Sequence, residues 1–302
     1  MPASSNRLSS RMDRWAPMIF IAPTVIVISF LMIIPFIYSV YLSTLSYKLT
    51  LPSKMIHFAG VENFITISKE PAFRKAIWWT FEFAAVAVVI QVTIGMAMAL
   101  VLNSKAFGKK KNVFKSLFIM PLMLAPIVSA KMWSLLFQVI YGPINFVVTQ
   151  LGFSKISWSG EVLPAKLSIL LVDIWQASPF CMLILLAALK TVPKELTEAA
   201  MIDGAGPVHI FFRITLPLIR NFIALVVSIR VMDALRVFDS VVALTNGAPG
   251  GATETLATIT YKTAFRYADI GAGSAGSILY FLFIVVFSLC TFILLQRKAV
   301  TN

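Results

Sequence analysis

Four residues at helical spacing, two of them polar, share a hydrophobic stretch of this sequence. They lie at i, i+3, i+4 and i+7 and comprise Asp173, Gln176, Ala177 and Phe180. This spacing predicts one helical face, interrupted by Pro179. A carboxylate and an amide can hydrogen-bond ligand hydroxyl groups, an aromatic ring can cover an apolar ligand face, and alanine leaves room between them. The set is therefore a candidate solute-binding face, unless Asp173 merely ends its helix near an interface.

A second set of charged residues follows at intervals of three. It comprises Arg230, Asp233, Arg236 and Asp239. Neighbours at this spacing can pair, and we predict Arg230 with Asp233 and Arg236 with Asp239. Such pairing lowers the cost of burying the charges and is a purely structural alternative. A guanidinium at Arg230 would also suit an acidic solute, and Lys131 either adds positive potential or extends its ammonium towards an interface.

These residues lie in a chain whose composition is typical of an integral membrane protein. Hydrophobic residues make up 59% of the sequence, charged residues 13%, and the mean hydropathy is +0.86. A helix needs roughly 20 mainly apolar residues to cross the hydrocarbon layer. The candidate spans are residues 16–43, 76–102, 116–140, 163–189, 221–245 and 274–295. Long continuous apolar runs favour helices over a barrel, so we predict an all-α membrane protein with six transmembrane helices.

The distribution of lysine and arginine predicts the orientation. Basic clusters that would share the cytoplasmic side are Arg7, Arg11 and Arg14; Lys105, Lys109, Lys110, Lys111 and Lys115; Lys190, Lys194, Arg213 and Arg220; Arg297 and Lys298. The first loop on the opposite side, residues 44–75, is also basic, but the balance puts both termini in the cytoplasm. We expect cytoplasmic tails at 1–15 and 297–302 flanking a membrane domain at 16–296, with the first span retained rather than cleaved. The formal charge of +13 needs no nucleic acid partner.

Other reactive residues give no sign of catalysis or metal binding. Cys181 and Cys290 fall inside apolar spans, which favours packing over a disulfide. His57 and His209 have no second ligand at metal spacing, so we expect neither a metal site nor a cofactor in this chain. The sequence has no phosphate-binding GxxxxGK[ST] motif. If ATP and magnesium drive the protein, another subunit binds them.

The polar loop at residues 190–220 has features of a docking element. Pro193 can open a helix, and Gly204 suits a left-handed cap at its end. On that short helix Leu196, Ala199 and Ala200 share a face, and the two alanines allow another backbone to approach closely. The alternative from spacing alone is an amphipathic connector that rests on lipid headgroups.

The segment EAAMIDGAGPVHIFFRITLP resembles the EAA motif of binding-protein-dependent ABC importer permeases. The matching positions are Glu198, Ala199, Ala200, Gly204, Ile214, Leu216 and Pro217. Further stretches are similar to the maltose-type sugar permeases: FAGVENFITISKEPAFRKAIWWT, DIWQASPF and VFDSVVALTNGAPGGATETLATITYKTAF. The resemblance covers nearly the whole chain.

This resemblance implies a type I ABC importer permease, without enzymatic activity of its own, in the bacterial inner membrane. It implies a second homologous permease, two cytoplasmic ATPases that bind ATP and magnesium, and an extracytoplasmic solute-binding protein. The EAA loop would be the coupling helix, where Glu198 offers a carboxylate to the ATPase beside Asp203. The solute pathway would involve Asp173, Gln176, Ala177, Phe180, Arg230, Asp233 and Arg236, and the solute would be a sugar or sugar derivative. An ion-coupled secondary transporter could bury similar carboxylates and is the alternative.

Overall fold

The computed structural model describes residues 16, 18, 20–52, 55–104, 108 and 111–300, with the backbone alone for 295–300. The chain forms two compact units, residues 1–67 with 263–278 and residues 68–262 with 279–302. The predicted tail at 1–15 lies outside the described residues, as do the last two residues of the tail predicted at 297–302.

The first unit contains a long apolar helix followed by a small hairpin. Its elements are α1 (Phe20–Ser43), β1 (Leu45–Ser46), β2 (His57–Phe58) and most of α2 (Glu62–Lys69). The strands are antiparallel, with Leu45 opposite Phe58. The Asn63 amide donates to the carbonyls of Ser43 (2.9 Å) and Leu45 (2.8 Å), which ties the end of α1 to the hairpin.

The second unit holds most of the remaining helices. They are α3 (Pro71–Asn103), α4 (Lys111–Ile119) with a 3-10 turn at Met120–Met123, α5 (Pro126–Leu136), α6 (Pro143–Gln150), α7 (Val162–Leu189), α8 (Lys194–Ile202), α9 (Pro207–Ile210), α10 (Leu216–Leu218), α11 (Arg220–Ala234), α12 (Asp239–Leu244) and α13 (Leu256–Tyr261). The last helix, α14 (Ile270–Val300), begins in the first unit and ends in the second. It thus continues into the segment that we predicted as a C-terminal tail.

Helices α3 and α7 form the centre of the second unit. At their crossing, a Cβ on Gly95 would overlap the Cβ of Cys181, so glycine allows the two backbones to approach closely. Phe83 and Ile169 are fully buried on one side of this crossing, and Met182 is fully buried on the other. Because lipid is as apolar as these side chains, close van der Waals packing is what holds such helices together.

Among the described residues, four helices are long and apolar enough to cross a membrane. They are α1, α3, α7 and the 270–294 part of α14. Two further pairs pass the same test but are bent: Lys111–Met123 with Pro126–Leu136 by 96°, and Pro207–Leu218 with Arg220–Ala234 by 70°. The predicted span at 116–140 is therefore not one straight helix. Ala125 precedes Pro126 and adopts an extended backbone, which ends the first half before the second begins.

The predicted span at 221–245 is also broken. Helix α11 ends at Ala234, and α12 begins only at Asp239. Carbonyls freed by this break are satisfied by side chains, since the Tyr280 hydroxyl donates to Leu235 O (3.0 Å) and the Thr255 hydroxyl to Val237 O (3.0 Å). Non-helical backbone within a membrane protein needs such partners, because no water reaches it from the lipid.

Candidate solute-binding site

A cavity of about 350 Å³ opens in the second unit, and we call it the central cavity. Its lining includes every residue that we predicted for the solute pathway: Asp173, Gln176, Ala177, Phe180, Arg230, Asp233 and Arg236. Helix α7 contributes the first four, and the others come from α11 and the turn that follows it. The structure therefore brings together two groups of residues that are far apart in the sequence.

Helix α7 presents its polar face without a break. Pro179 lies inside the helix, which runs on to Leu189, so the predicted interruption does not end it. Asp173 lies well within α7 rather than at its end, which excludes the alternative that it merely terminates the helix. Ala177 is buried and Phe180 is half-buried. The ring therefore lines the cavity while remaining partly accessible from it.

Arg230 is the centre of a buried polar network. Its side chain is 9% exposed, and its Nε donates to Gln91 Oε1 at 2.9 Å. Its Nη1 contacts Asp233 Oδ2 at 3.2 Å, as predicted, and its Nη2 lies 3.8 Å from Asp173 Oδ2. The guanidinium is thus shared between two carboxylates and an amide. Such sharing offsets the cost of burying the cation.

Gln91 is a functional candidate that the sequence analysis missed. It is fully buried on α3, and its Nε2 donates to Asp173 Oδ2 at 2.5 Å. One amide therefore bridges a carboxylate of α7 and the guanidinium of Arg230 on α11. The available signal was a lone amide within the apolar run AVAVVIQVTIG, since polar groups inside spans are costly.

Gln176 is held by a different part of the chain. Its Nε2 donates to the carbonyl of Leu124 at 2.8 Å, and its Oε1 accepts from the hydroxyl of Ser129 at 2.7 Å. Leu124 lies at the bend before α5, and Ser129 lies within α5. The amide therefore connects α7 to the bent pair of α4 and α5 at the wall of the cavity.

The predicted pairing of Arg236 with Asp239 is wrong. Arg236 Nη2 instead contacts Asp233 Oδ1 at 2.8 Å. The prediction assumed one continuous helix, but α11 ends at Ala234 and Asp239 opens a new helix. Arg236 is 60% exposed and lines the cavity, as does Asp239.

Together these groups can bind a solute rich in hydroxyl groups. Carboxylate oxygens accept hydrogen bonds, guanidinium nitrogens donate them, and Phe180 offers an apolar surface. Lys131, which we considered as a source of positive potential, does not line this cavity; its Nζ contacts the carbonyl of Ala243 at 3.4 Å. Within the described part of the chain, no cluster of three or more His, Cys, Asp or Glu could hold a metal ion.

The EAA segment forms a separate candidate site at α8. Gly204 follows the helix with φ of +82°, as expected of a left-handed cap. The amide of Ala205 donates to Ala200 O (2.9 Å) and that of Gly204 to Met201 O (3.1 Å), which is the Schellman pattern. A side chain at Gly204 would meet open space, so the conformation rather than crowding favours glycine.

This segment is largely exposed. The exposed motif residues are Glu198, Ala199, Asp203, Gly204 and Pro217, while Ala200, Ile214 and Leu216 are half-buried. Met201 and Ile202 beside them are 62% and 87% exposed. Large apolar side chains on an exposed polar loop are typical of a contact surface for a partner.

Comparison with known proteins identifies the family. Residues 91–299 match the family described as binding-protein-dependent transport system inner membrane component. The trehalose/maltose transport system permease protein MalF of Thermococcus litoralis is 33% identical over 271 residues, which cover 90% of each chain. The sulfoquinovosyl glycerol transport system permease protein SmoG of Agrobacterium fabrum is 35% identical, covering 89% of this chain and 86% of the relative.

A solved structure shares the fold. A chain of a bacterial ABC transporter involved in the import of the acidic polysaccharide alginate superposes with a TM-score of 0.83 at 20% identity. The alignment covers 98% of this chain and 100% of the other. The match to the family confirms the resemblance noted from the EAA segment and argues against an ion-coupled secondary transporter. This chain belongs to the family of inner membrane components of binding-protein-dependent transport systems.

Proposed function

We propose that this chain is one permease half of an ATP-driven importer that moves a sugar or sugar derivative into the cytoplasm by alternating access. The observation that carries the proposal is the central cavity, where carboxylates, guanidiniums and an aromatic ring converge within apolar helices. The relatives support a sugar, since those compared above transport trehalose or maltose and sulfoquinovosyl glycerol by name. In this proposal the bent helix pairs complete six spans, and both termini are cytoplasmic.

The ion pairs of Arg230 favour a neutral solute. Its guanidinium already contacts Asp173, Asp233 and Gln91, which leaves little of its charge for an acidic group on a solute. An acidic sugar derivative is the second candidate. The observation that favours it is Arg236, whose guanidinium is mostly exposed and lines the same cavity.

The exposed EAA segment is the proposed contact with an ATPase. Two ATPase subunits would bind ATP and magnesium, and their closure would move α8 as a lever. Within the described residues the carboxylate of Glu198 has no intramolecular partner, so it is available to a basic group of the ATPase. A second permease of the same family would complete the pathway, and a solute-binding protein would deliver the sugar.

The experiment is reconstitution of this chain with its partner permease, ATPase and binding protein in proteoliposomes. Thermal shift of the binding protein against neutral sugars, sugar acids and phosphorylated polyols first identifies the solute. We expect uptake of that solute to require ATP and the binding protein. Uptake driven by an ion gradient without the ATPase would refute the proposal.

A further inference from the structure

A second cavity of about 160 Å³ lies further along the elements that form the central cavity. On α5 and the turn after it, Pro126 lines the central cavity, whereas Ser134 and Gln138 line the second cavity. On α12, Ser240 lines the central cavity and Leu244 lines the second cavity. The two cavities therefore follow one another along the same helices, towards the end at which α7 begins.

Lys131 lies between the two cavities. It occupies the part of α5 between Pro126 and Ser134, and its Nζ contacts the carbonyl of Ala243, next to Leu244 on α12. This contact, at 3.4 Å, joins α5 to α12 at the level that separates the cavities. A long flexible side chain at this point can change its position without any change in the fold.

The second cavity combines polar groups with aromatic rings. The rings of Phe137 and Trp158 lie 4.8 Å apart between their centroids. The hydroxyls of Ser134 and Ser168 donate to carbonyls of their own helices, at 2.7 and 2.8 Å, so their oxygens remain free to accept. Across the described residues, the side-chain amide of Gln138 forms no hydrogen bond. These groups can both donate to and accept from a ligand hydroxyl.

Trp158 also has a hydrogen-bond donor without an acceptor. Its Nε1 is buried and unpaired within the described chain. Trp158 also lines a large neighbouring cavity, whose walls are almost entirely apolar and offer little to accept from it. A buried donor without a partner costs free energy.

We propose that the second cavity is an additional solute site, which holds one uncharged, hydroxyl-bearing ring before the solute passes Lys131 into the central cavity. The inference rests on the proposed function. Among the described residues that line the cavity, none carries an ionisable side chain, in contrast to the central cavity. The second cavity therefore recognises hydroxyl groups and an apolar ring face, whereas an acidic group on the solute would be met in the central cavity by the exposed guanidinium of Arg236.

The test measures protection of single cysteines in the complete transporter by the solute. Gln138→Cys reports on the second cavity and Leu122→Cys on the central cavity, both with Cys290→Ser, since Cys290 is exposed and Cys181 is buried. Labelling by a membrane-impermeant methanethiosulfonate is followed with and without glucose, maltose, trehalose or glucuronate. We expect the neutral sugar that the transporter carries to slow labelling of Gln138→Cys several-fold, and choline to leave it unchanged.

Ser159→Cys provides a second reporter on the same cavity, and Leu135→Cys, on the same helix as Ser134 but outside the lining, is the matched control. Protection of both cavity reporters, without protection of Leu135→Cys, supports the site. Protection of Leu122→Cys alone overturns the second site while leaving the proposed function intact. Absence of labelling at both Gln138→Cys and Ser159→Cys also overturns it, because a solute site must be accessible to water. Absence of protection at every position contradicts both proposals.

Discussion

Replacing Arg230 by glutamine is expected to destabilise the protein through Asp173 rather than through Asp233. Asp233 is 42% exposed and keeps Arg236 as a partner at 2.8 Å. Asp173 is 18% exposed, and of its observed contacts it would keep the amide of Gln91. The carboxylate that is left without a cation is therefore the one on α7, although Asp233 is the nearer neighbour of Arg230 in sequence.

The magnitude follows from the burial of the pair. Removing one partner of a buried ion pair costs about 3–5 kcal/mol, because the remaining charge is uncompensated. Arg230 Nη2 lies 3.8 Å from Asp173 Oδ2, and Asp173 is partly exposed. We therefore expect a loss of stability at the lower end of this range, about 3 kcal/mol. At roughly 2–4 °C per kcal/mol, the Tm should fall by roughly 6–12 °C. Asp233→Asn alone should cost about 1 kcal/mol or less, since Asp233 is 42% exposed and the buried Arg230 keeps Asp173 as a partner.

The assay is thermal unfolding of the purified complex in nanodiscs for Arg230→Gln, Asp173→Asn and the double variant. We expect the double variant to recover most of the Tm lost in Arg230→Gln, because both charges are then removed together. Solute uptake by a separate Arg236→Gln variant distinguishes the two candidate substrates, since a neutral sugar does not need that exposed cation. Rescue of Arg230→Gln by Asp233→Asn but not by Asp173→Asn would refute this account of the network.

The remaining predictions concern packing, coupling and a second buried pair. Gly95→Leu should prevent α3 and α7 from packing, because even a Cβ there overlaps Cys181, and the yield of folded protein in detergent should fall sharply. Glu198→Lys should leave the Tm unchanged but weaken ATPase binding in pull-down and lower uptake, because the exposed carboxylate is the proposed contact. Lys262→Met should lower the stability by about 3–5 kcal/mol in thermal unfolding, because it leaves Glu254 buried without its 2.5 Å partner.

Matched variants control for each of these changes. A Cβ added at Gly206 would meet open space, so Gly206→Ala should fold normally. If Gly206→Ala lowered the yield of folded protein as much as Gly95→Leu, the packing argument would be contradicted. Glu195→Lys changes the same charge on α8 outside the motif and should retain more ATPase binding than Glu198→Lys. Adding Glu254→Gln to Lys262→Met should restore the stability lost in the single variant. If the double variant remained as unstable as Lys262→Met, another contact of Lys262 would account for most of the loss.

Much of the architecture could be predicted because apolar length is a strong signal in membrane proteins. The run of residues that forms α7 is apolar enough to cross the hydrocarbon layer, and its polar face follows directly from helical spacing. The breaks in the third and fifth predicted spans were not predicted. Proline at 126 was a visible signal for the first break. The end of α11 at Ala234 depends instead on distant partners, since Tyr280 and Thr255 satisfy the carbonyls that it frees.

The sequence predicted which residues of α7 and α11 line the candidate site, but not which residues of other helices contact them. Spacing alone identified the residues of α7 and α11 that line the central cavity, because each set repeats at the helical period. It could not identify the partners that come from other helices. The contacts of Gln91 with Arg230 and of Ser129 with Gln176 link residues far apart in sequence, and no periodicity encodes them.

The bend at Leu124 gives the central cavity a polar group that belongs to the main chain. Its carbonyl accepts from Gln176 and retains a second lone pair at the cavity wall. A point substitution can replace any side chain around a solute, but it cannot remove a peptide oxygen. Any sequence that keeps Pro126 and the bend therefore inherits an acceptor at this position. Changes in solute preference would then arise by exchanging the side chains around a fixed point of recognition.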